Sequence, residues 1–418
     1  MLAGYGLPME IEIRPTRPDE FRTACNTMCR ALLTPPPNDD RWAKSLPAWE
    51  LSISYSAWEG DECVGHAANL HVETTVPGGA ALDTGAVTWV GVLTTHARRG
   101  AGTGLMRALV DDAAERGWPL LSLRASEATI YRRYGFGVAG DFAAVEIDAR
   151  RARPVRGAAP GAMRLLTADE FPAVVDEVYR RCLDRRPGLI TRPEPWAERH
   201  FQAVGEGKEN ALVAVHLDER GEPDGYVYYT TSWAETLDQG GRGKIHDVFA
   251  VSDDVELALW RYLLTIDLVE TWTSPGRPID DLIIEAVADR RAHRVTSVMD
   301  EQWLRLVDVD TALAARTYSP SGGEGIVVAV VDPMIEANNG RWHVHGSGAR
   351  RTDEPADLIA DIDALSALYL GGMSWRTEAA VGRVRPGPSV EDARLRGVLA
   401  GADHLFSVKP LPFCGTFF

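Results

Sequence analysis

Apolar and polar residues alternate over residues 10–14, which predicts an opening β-strand. Residues 21–33 read as helix, and Thr34-Pro-Pro-Pro-Asn38 must break it. Alternation returns over 51–58 and 63–73, two strands around a turn at Gly60-Asp61. After Pro77-Gly78-Gly79, residues 87–93 form another apolar run. From 102 to 116 the apolar positions Leu105, Met106, Leu109, Val110 and Ala113 fall at helical spacing, and Gly117 stops the helix. A short buried strand follows over 120–124. Alternating strands and helices predict a mixed α/β domain over residues 1–150.

Residues 149–161 are rich in Arg, Pro, Gly and Ala without periodicity, as a linker is. A second domain is predicted over 151–317. It has a helix over 169–183, strands over 211–216 and 225–231 joined through Asp218-Glu-Arg-Gly221, and a strand over 244–251. A helix is then predicted over 255–271, with Leu257, Trp260, Leu264 and Leu268 on one face. This order repeats that of the first domain without its glycine loop. A turn-rich break over 318–325 opens a third domain, 318–418. Strands over 326–333 and 341–345 and helices over 358–370 and 390–400 make it a small α+β unit.

A length of 418 residues fits roughly two to four domains. The composition, 45% hydrophobic and 25% charged, is that of a globular protein. A formal charge of -16 excludes the basic footprint that nucleic-acid binding needs and favours cationic partners. Five scattered cysteines fit a reducing compartment better than a disulfide framework. There is no signal-peptide pattern at the N-terminus. The run Ile326–Val331 is strand length, far below the roughly 20 residues of a membrane span, so a cytoplasmic protein without a membrane span is expected. His343 and His345 share a strand face but have no third ligand nearby, so no metal is expected. No Gly-x-Ser-x-Gly elbow is present.

The string that carries chemistry is Val90-Gly-Val-Leu-Thr-Thr-His-Ala-Arg-Arg-Gly-Ala-Gly-Thr-Gly-Leu-Met106. It reads as strand, loop, glycine-rich turn and helix. Glycines let a backbone approach an anion, and the first helical turn offers free N–H groups at the positive end of the helix dipole. Arg98 and Arg99 add charge beside this pyrophosphate cradle. A dinucleotide fingerprint starts straight after the strand with Gly-x-Gly-x-x-Gly, and a P-loop ends in Gly-Lys-Ser/Thr; neither spacing is met.

Arg99-Gly-Ala-Gly102-Thr-Gly104 instead resembles the Arg/Gln-x-x-Gly-x-Gly/Ala signature of the GNAT acetyltransferase superfamily. Ser126-Glu-Ala-Thr-Ile-Tyr-Arg-Arg-Tyr-Gly-Phe136 resembles its Tyr-x-x-x-Gly-Phe segment. The resemblance implies acetyl-CoA as co-substrate, held by Val90, Gly91, Val92, Arg98, Arg99, Gly100, Ala101, Gly102, Thr103, Ser126 and Glu127. It also implies a bulged strand before the loop and Tyr131 as general acid. A thiol near pKa 8.5 and a phenol near 10 make that proton transfer nearly balanced. Tyr134 and Phe136 read as core aromatics.

The whole chain resembles the Eis (enhanced intracellular survival) family. The likeness rests on the Ser-Glu-x-x-Ile-Tyr string, His96-Ala-Arg-Arg-Gly100, Trp303-Leu-Arg-Leu-Val-Asp-Val309, Leu368-Tyr-Leu-Gly371 and the final aromatic Phe418. It implies tandem GNAT folds, the second without cofactor, followed by a sterol-carrier-like α+β domain. It further implies a homohexamer, acetylation of aminoglycosides at several positions, and the terminal carboxylate of Phe418 as base. A C-terminal carboxyl near pKa 3.5 faces an ammonium near 10.4, roughly 7 units or about 9 kcal/mol uphill, so the base acts on a partly deprotonated amine, through water. Trp42 and Trp89 align with pocket aromatics and Asp289 with an acidic substrate contact, with core or surface roles standing beside those. Phe417 replaces an acidic residue of the family and Arg124 a histidine. An added cation disfavours a cationic substrate unless Arg124 points away or pairs. The expected activity is acetyl-CoA-dependent N-acetylation of amines on cationic small molecules. Protein-lysine, polyamine and arylalkylamine acetylation, and a non-enzymatic lipid-binding scaffold, are the alternatives.

Overall fold

The computed structural model describes residues 10–207, 210–233, 240–320, 325–388 and 390–418. In chain order the first strands are β1 (Glu12–Pro15), β2 (Ile53–Glu59), β3 (Glu62–Thr75), β4 (Ala81–Val92), β5 (Leu120–Leu123) and β6 (Gly137–Asp148). There follow β7 (Ala162–Leu165), β8 (Ala211–Leu217), β9 (Pro223–Ser232), β10 (Gly241–Ala250), β11 (Val269–Pro278) and β12 (His293–Leu306). All belong to one sheet, in the order β1-β2-β3-β4-β5-β12-β6-β11-β10-β9-β8-β7. The first two units therefore share a continuous sheet. β12 comes late in the chain yet lies between β5 and β6, antiparallel to both. Its second half, from Glu301 to Leu306, is buried, while most of its first half is exposed.

Each unit packs one long helix on its half of the sheet. The helix Ala101–Glu115 turns Leu105, Met106, Leu109 and Val110 onto Val64, Ala67, Val87 and Leu121. The helix Asp253–Leu264 turns Ala258, Leu259, Trp260 and Leu263 onto Val227, Tyr229, Ile245 and Trp272. Burial of such a face, at about 25 cal/mol per Å² of apolar surface, dominates helix stability. The third unit adds β13 (Ile326–Val331), β14 (Gly340–His345), β15 (Gly348–Arg351), β16 (Leu358–Asp361) and β17 (Val384–Pro386), in the order β15-β14-β13-β16-β17. Its core of Trp342, Val344, Leu365 and Phe406 runs on into Leu120, Ala139, Leu304 and Leu306 of the large sheet. The third unit thus backs the first. Among the described residues no helix is long and apolar enough to cross a membrane.

Several elements depart from the sequence reading. The helix expected over 255–271 ends at Leu264, and β11 begins at Val269; Leu268 is exposed rather than on the buried face. The stretch 358–370 is a strand and then the helix Ile362–Leu368, because Leu358 enters a parallel pairing opposite Val328. The helix Asp39–Leu51 gave no periodic signal. It contains Pro47 and buries Trp49, and its start is fixed by the Asn38 side chain accepting from the Arg41 N–H at 3.0 Å. Within the linker stretch, Ala149–Ala152 forms a helical turn capped by Asp148, with Ala149 and Ala152 buried.

Candidate active site

The site begins where two strands part. β4 pairs in parallel with β5 from Thr84 opposite Leu120 to Val87 opposite Leu123, and then continues alone on that side to Val92. Its other edge is bulged. Ala68 faces Thr88 and His66 faces Gly91, so Trp89 and Val90 together oppose Ala67. Trp89 takes a positive φ of 55° to make the bend. The expected bulge before the glycine loop is therefore present.

Below the gap starts the helix Ala101–Glu115. Gly100 is its left-handed cap residue, with φ +94°, and its carbonyl accepts from the Gly104 N–H at 2.9 Å. The first N–H groups of a helix lack intrahelical partners. A Cβ on Gly104 would strike Ile13 at 2.7 Å, so packing demands that glycine. A Cβ on Gly102 would meet Val92 at 3.8 Å, an ordinary contact. Protein packing does not require glycine at 102, whereas a phosphate lying on the first turn does. The cradle therefore fits the pyrophosphate of acetyl-CoA. Thr103 on the same turn lies 3.2 Å from the Tyr134 hydroxyl. Arg98 is exposed with a positive φ of 62°. Arg99 pairs with Glu59, and so does His96 at 2.7 Å. Arg99 and then His96 hold the Glu59 carboxyl down at about 2.

Tyr131 closes the gap from the β5 side. It is buried, with ring contacts to Phe136 at 6.2 Å and Trp303 at 6.4 Å. Burial raises its phenol pKa, against the pull of a hydrogen bond with Ser126, so the hydroxyl keeps its proton. Ser126 and Glu127 are exposed in the preceding loop. The third unit braces this segment: Arg132 pairs with Asp363 at 3.4 Å, and a Cβ on Gly137 would lie 2.0 Å from the Asp363 carbonyl.

The C-terminal segment completes the site. Phe418 is buried against Leu70, Val72, Ile190 and Trp196. It shares a cleft of about 490 Å³ with Trp89, Val90, Arg124, Ser126 and Tyr131. Arg124, whose charge was the concern, pairs with buried Glu301 at 3.3 Å and lies between the rings of Phe142 and Phe417. Trp42 stands one ring further back, 5.8 Å from Trp49, which stacks on Trp89 at 4.7 Å. Asp289 is engaged elsewhere: it pairs with Arg151 at 2.6 Å and is not among the cleft's lining residues. The sequence reading missed Trp196, Arg199, Glu301 and Arg192. The first two line the cleft, and the last two hold the tail. The one sequence signal for Glu301 is a carboxylate at the head of the inward-facing run of β12.

A diverging strand pair, a bulge and a glycine-capped helix define the GNAT class of acetyl-CoA-dependent N-acetyltransferases. Family comparison agrees: an acetyltransferase (GNAT) domain matches residues 12–139, a second matches 188–306, and a sterol carrier protein domain matches 309–415. The N-acetyltransferase Eis of Mycobacterium tuberculosis is 31% identical over 84% of this chain and 86% of its own. An uncharacterized N-acetyltransferase of Streptomyces coelicolor is 34% identical over 90% of this chain and 94% of its own. The crystal structure of Eis1 from Mycobacterium abscessus superposes with a TM-score of 0.86 at 35% identity, covering 98% of this chain and all of that one. The chain belongs to the Eis family of N-acetyltransferases.

Proposed function

We propose that the protein transfers an acetyl group from acetyl-CoA to the amine of a small molecule in the cleft between Trp89, Tyr131 and Phe418. The observation that carries this reading is the meeting of Tyr131, the bulged strand and the chain terminus in one cleft. Bound acetyl-CoA supplies the thioester carbon that the amine attacks. Gly100, Ala101, Gly102 and Thr103 hold its pyrophosphate, with Arg98 alongside; Arg99 orders the loop through Glu59 and lends its charge. Val90 and Val92 direct N–H groups at the acetyl oxygen, each such donor contributing roughly 3 kcal/mol. Gly91 keeps the strand close to the helix 21–31, since its Cβ would meet Ala31 at 2.8 Å. Tyr131 gives its proton to the departing sulfur. The Phe418 carboxylate accepts the proton of the amine, through water. Ser126 orients the phenol, and Glu127 lies beside the cofactor.

The acceptor class in this reading is a cationic amine, with aminoglycosides acetylated at several positions. Trp89 forms the aromatic wall, with Trp42 behind it across Trp49, while Asp289 lies outside the cleft, paired with Arg151. A second reading, acetylation of an arylalkylamine, draws support from the lining itself. Trp89, Trp196 and Phe417 offer rings, while Arg124 and Arg199 supply positive charge. In this reading the protein is a cytoplasmic homohexamer, its units are bounded at 150 and 317, and the third unit delivers the carboxylate. The test is thiol release from acetyl-CoA with aminoglycosides and arylalkylamines as acceptors. Tyr131→Phe and a chain extended by one glycine after Phe418 are each expected to lower kcat about 10²-fold or more. Full activity in the extended chain would remove the carboxylate from the mechanism.

A further inference from the structure

The gap that takes acetyl-CoA in the first unit has a counterpart in the second. β10 bulges against β9 at His246, because Ile245 faces Tyr229 and Asp247 faces Tyr228. It pairs in parallel with β11 over 241–244 and then parts from it. Strand, bulge, divergence and following helix thus recur. The connection to the helix differs. Eight residues, 93–100, join β4 to its helix, with a short 3₁₀ turn and Gly100 among them; two, 251–252, join β10 to Asp253–Leu264. The second helix opens with Asp253, Asp254 and Glu256, charges that suit a helix N-terminus and repel a phosphate.

The C-terminal segment enters this second gap. Phe413 and Gly415 line one small cavity with residues 245–249 of β10 and Ser274, Gly276 and Arg277 of β11. Gly415 is needed there: its φ is +62°, and a Cβ would stand 2.7 Å from the Phe413 ring and 3.1 Å from Phe249. Polar anchors flank the entry. The Glu301 carboxylate accepts from the N–H groups of Cys414 and Gly415 at 2.8 and 2.9 Å. Arg192, buried and paired with Asp247 at 2.7 Å, donates to the Thr416 hydroxyl at 3.0 Å and the Gly415 carbonyl at 3.2 Å. The Tyr179 ring lies 3.8 Å from its guanidinium. The same Glu301 engages Arg124, which shares the cleft with Phe418.

We infer that the vacated cofactor gap of the second unit is the socket of the C-terminal segment, and that Glu301 and Arg192 are positioning residues that set where the Phe418 carboxylate stands. Glu301 has two tasks in this arrangement. It clamps two consecutive tail amides, and it occupies Arg124, which would otherwise be free to pair with the terminal carboxylate and weaken it as a base. The second task rests on the acetyl-transfer reading; the socket does not.

The test uses the full chain with Glu301→Gln, which keeps the size and removes the charge, and Arg192→Lys as an independent variant. Two readouts are taken: hydrogen exchange of the tail amides 413–416, and steady-state thiol release. In both variants, exchange of the tail amides is expected to accelerate about tenfold or more while the helix Ala101–Glu115 keeps its protection. In Glu301→Gln, kcat is expected to fall about 10- to 100-fold with KM for acetyl-CoA unchanged. Adding Glu301→Gln to the chain extended by one glycine is expected to bring no loss beyond that of the extension alone, because both changes act through one carboxylate. Unchanged tail exchange in both variants overturns the socket. Faster exchange with native kcat, or losses that multiply, overturns the positioning role. A native protein that releases no thiol sinks the acetyl-transfer reading and leaves the exchange result to judge the socket.

Discussion

The two strand–helix–strand units meet the same geometric gap with opposite chemistry. The first offers Gly100 and Gly102 at a helix N-terminus, with Arg98 and Arg99 beside it. The second offers Asp253, Asp254 and Glu256 at the same place, with Arg277 paired to Glu256 and Asp281 at 2.6 Å each. Both keep the bulge, and both keep an apolar helix face on the sheet. The fold therefore persists without the cofactor's loop. Ligand choice is decided in the short connection between strand and helix and in the first helical turn.

This contrast breaks first at Gly102. Gly102→Asp places a carboxylate on the phosphate cradle and is expected to lower kcat/KM about 10²-fold or more, through KM for acetyl-CoA. The melting temperature is expected to stay within about 2 °C, because the Cβ meets Val92 at an ordinary 3.8 Å. Calorimetry beside the kinetic assay checks both halves. Arg277→Met should show the reverse pattern. It strands Glu256 and Asp281 in a buried site and is expected to cost roughly 3 kcal/mol of stability by denaturant unfolding. KM for acetyl-CoA is expected not to move.

A pH-dependent effect concerns the histidines at the two bulges. His66 is buried, stacked on Trp49 and 3.1 Å from the Ser56 hydroxyl, and burial pushes its pKa down to about 3. His246 is pushed down to about 4, mainly by burial and also by Lys244 and His200. The unfolded chain takes up these protons near pH 6.5 and the folded chain only below 4, so between those values the unfolded state binds more protons. Stability is full above about pH 6.5 and is lost as the pH falls through that window, by at most about 1.4 kcal/mol per pH unit for each histidine. His66→Gln is expected to flatten the slope of unfolding free energy against pH down to about 3, and His246→Gln down to about 4. A slope unaltered by both would remove the histidines from the acid response.

Much of the first gap was legible in the sequence because its parts are contiguous. A strand, two arginines and three glycines followed by helical spacing fall within 90–106, and Tyr131 lies in a similarly compact string. Other features were written over longer distances. Glu301 meets Cys414 across 113 positions and Arg192 meets Thr416 across 224, and no local pattern announces such pairs. The insertion of β12 between β5 and β6 was hidden for the same reason, since strand order is a property of packing. The overlong helix over 255–271 shows a different limit. Leu268 continued the apolar period by chance, and the parallel pairing of Val269 with Gly241 decided the matter. The helix containing Pro47 buries mainly one aromatic, too little for a periodic signal.

The most direct test of the account is the stoichiometry of acetyl-CoA binding by titration calorimetry. The native chain is expected to bind one acetyl-CoA per chain, with binding abolished by Gly102→Asp and unaltered by Arg277→Met. Two molecules per chain, or binding that survives Gly102→Asp and fails with Arg277→Met, would contradict the assignment of the cofactor to the first gap and the tail to the second.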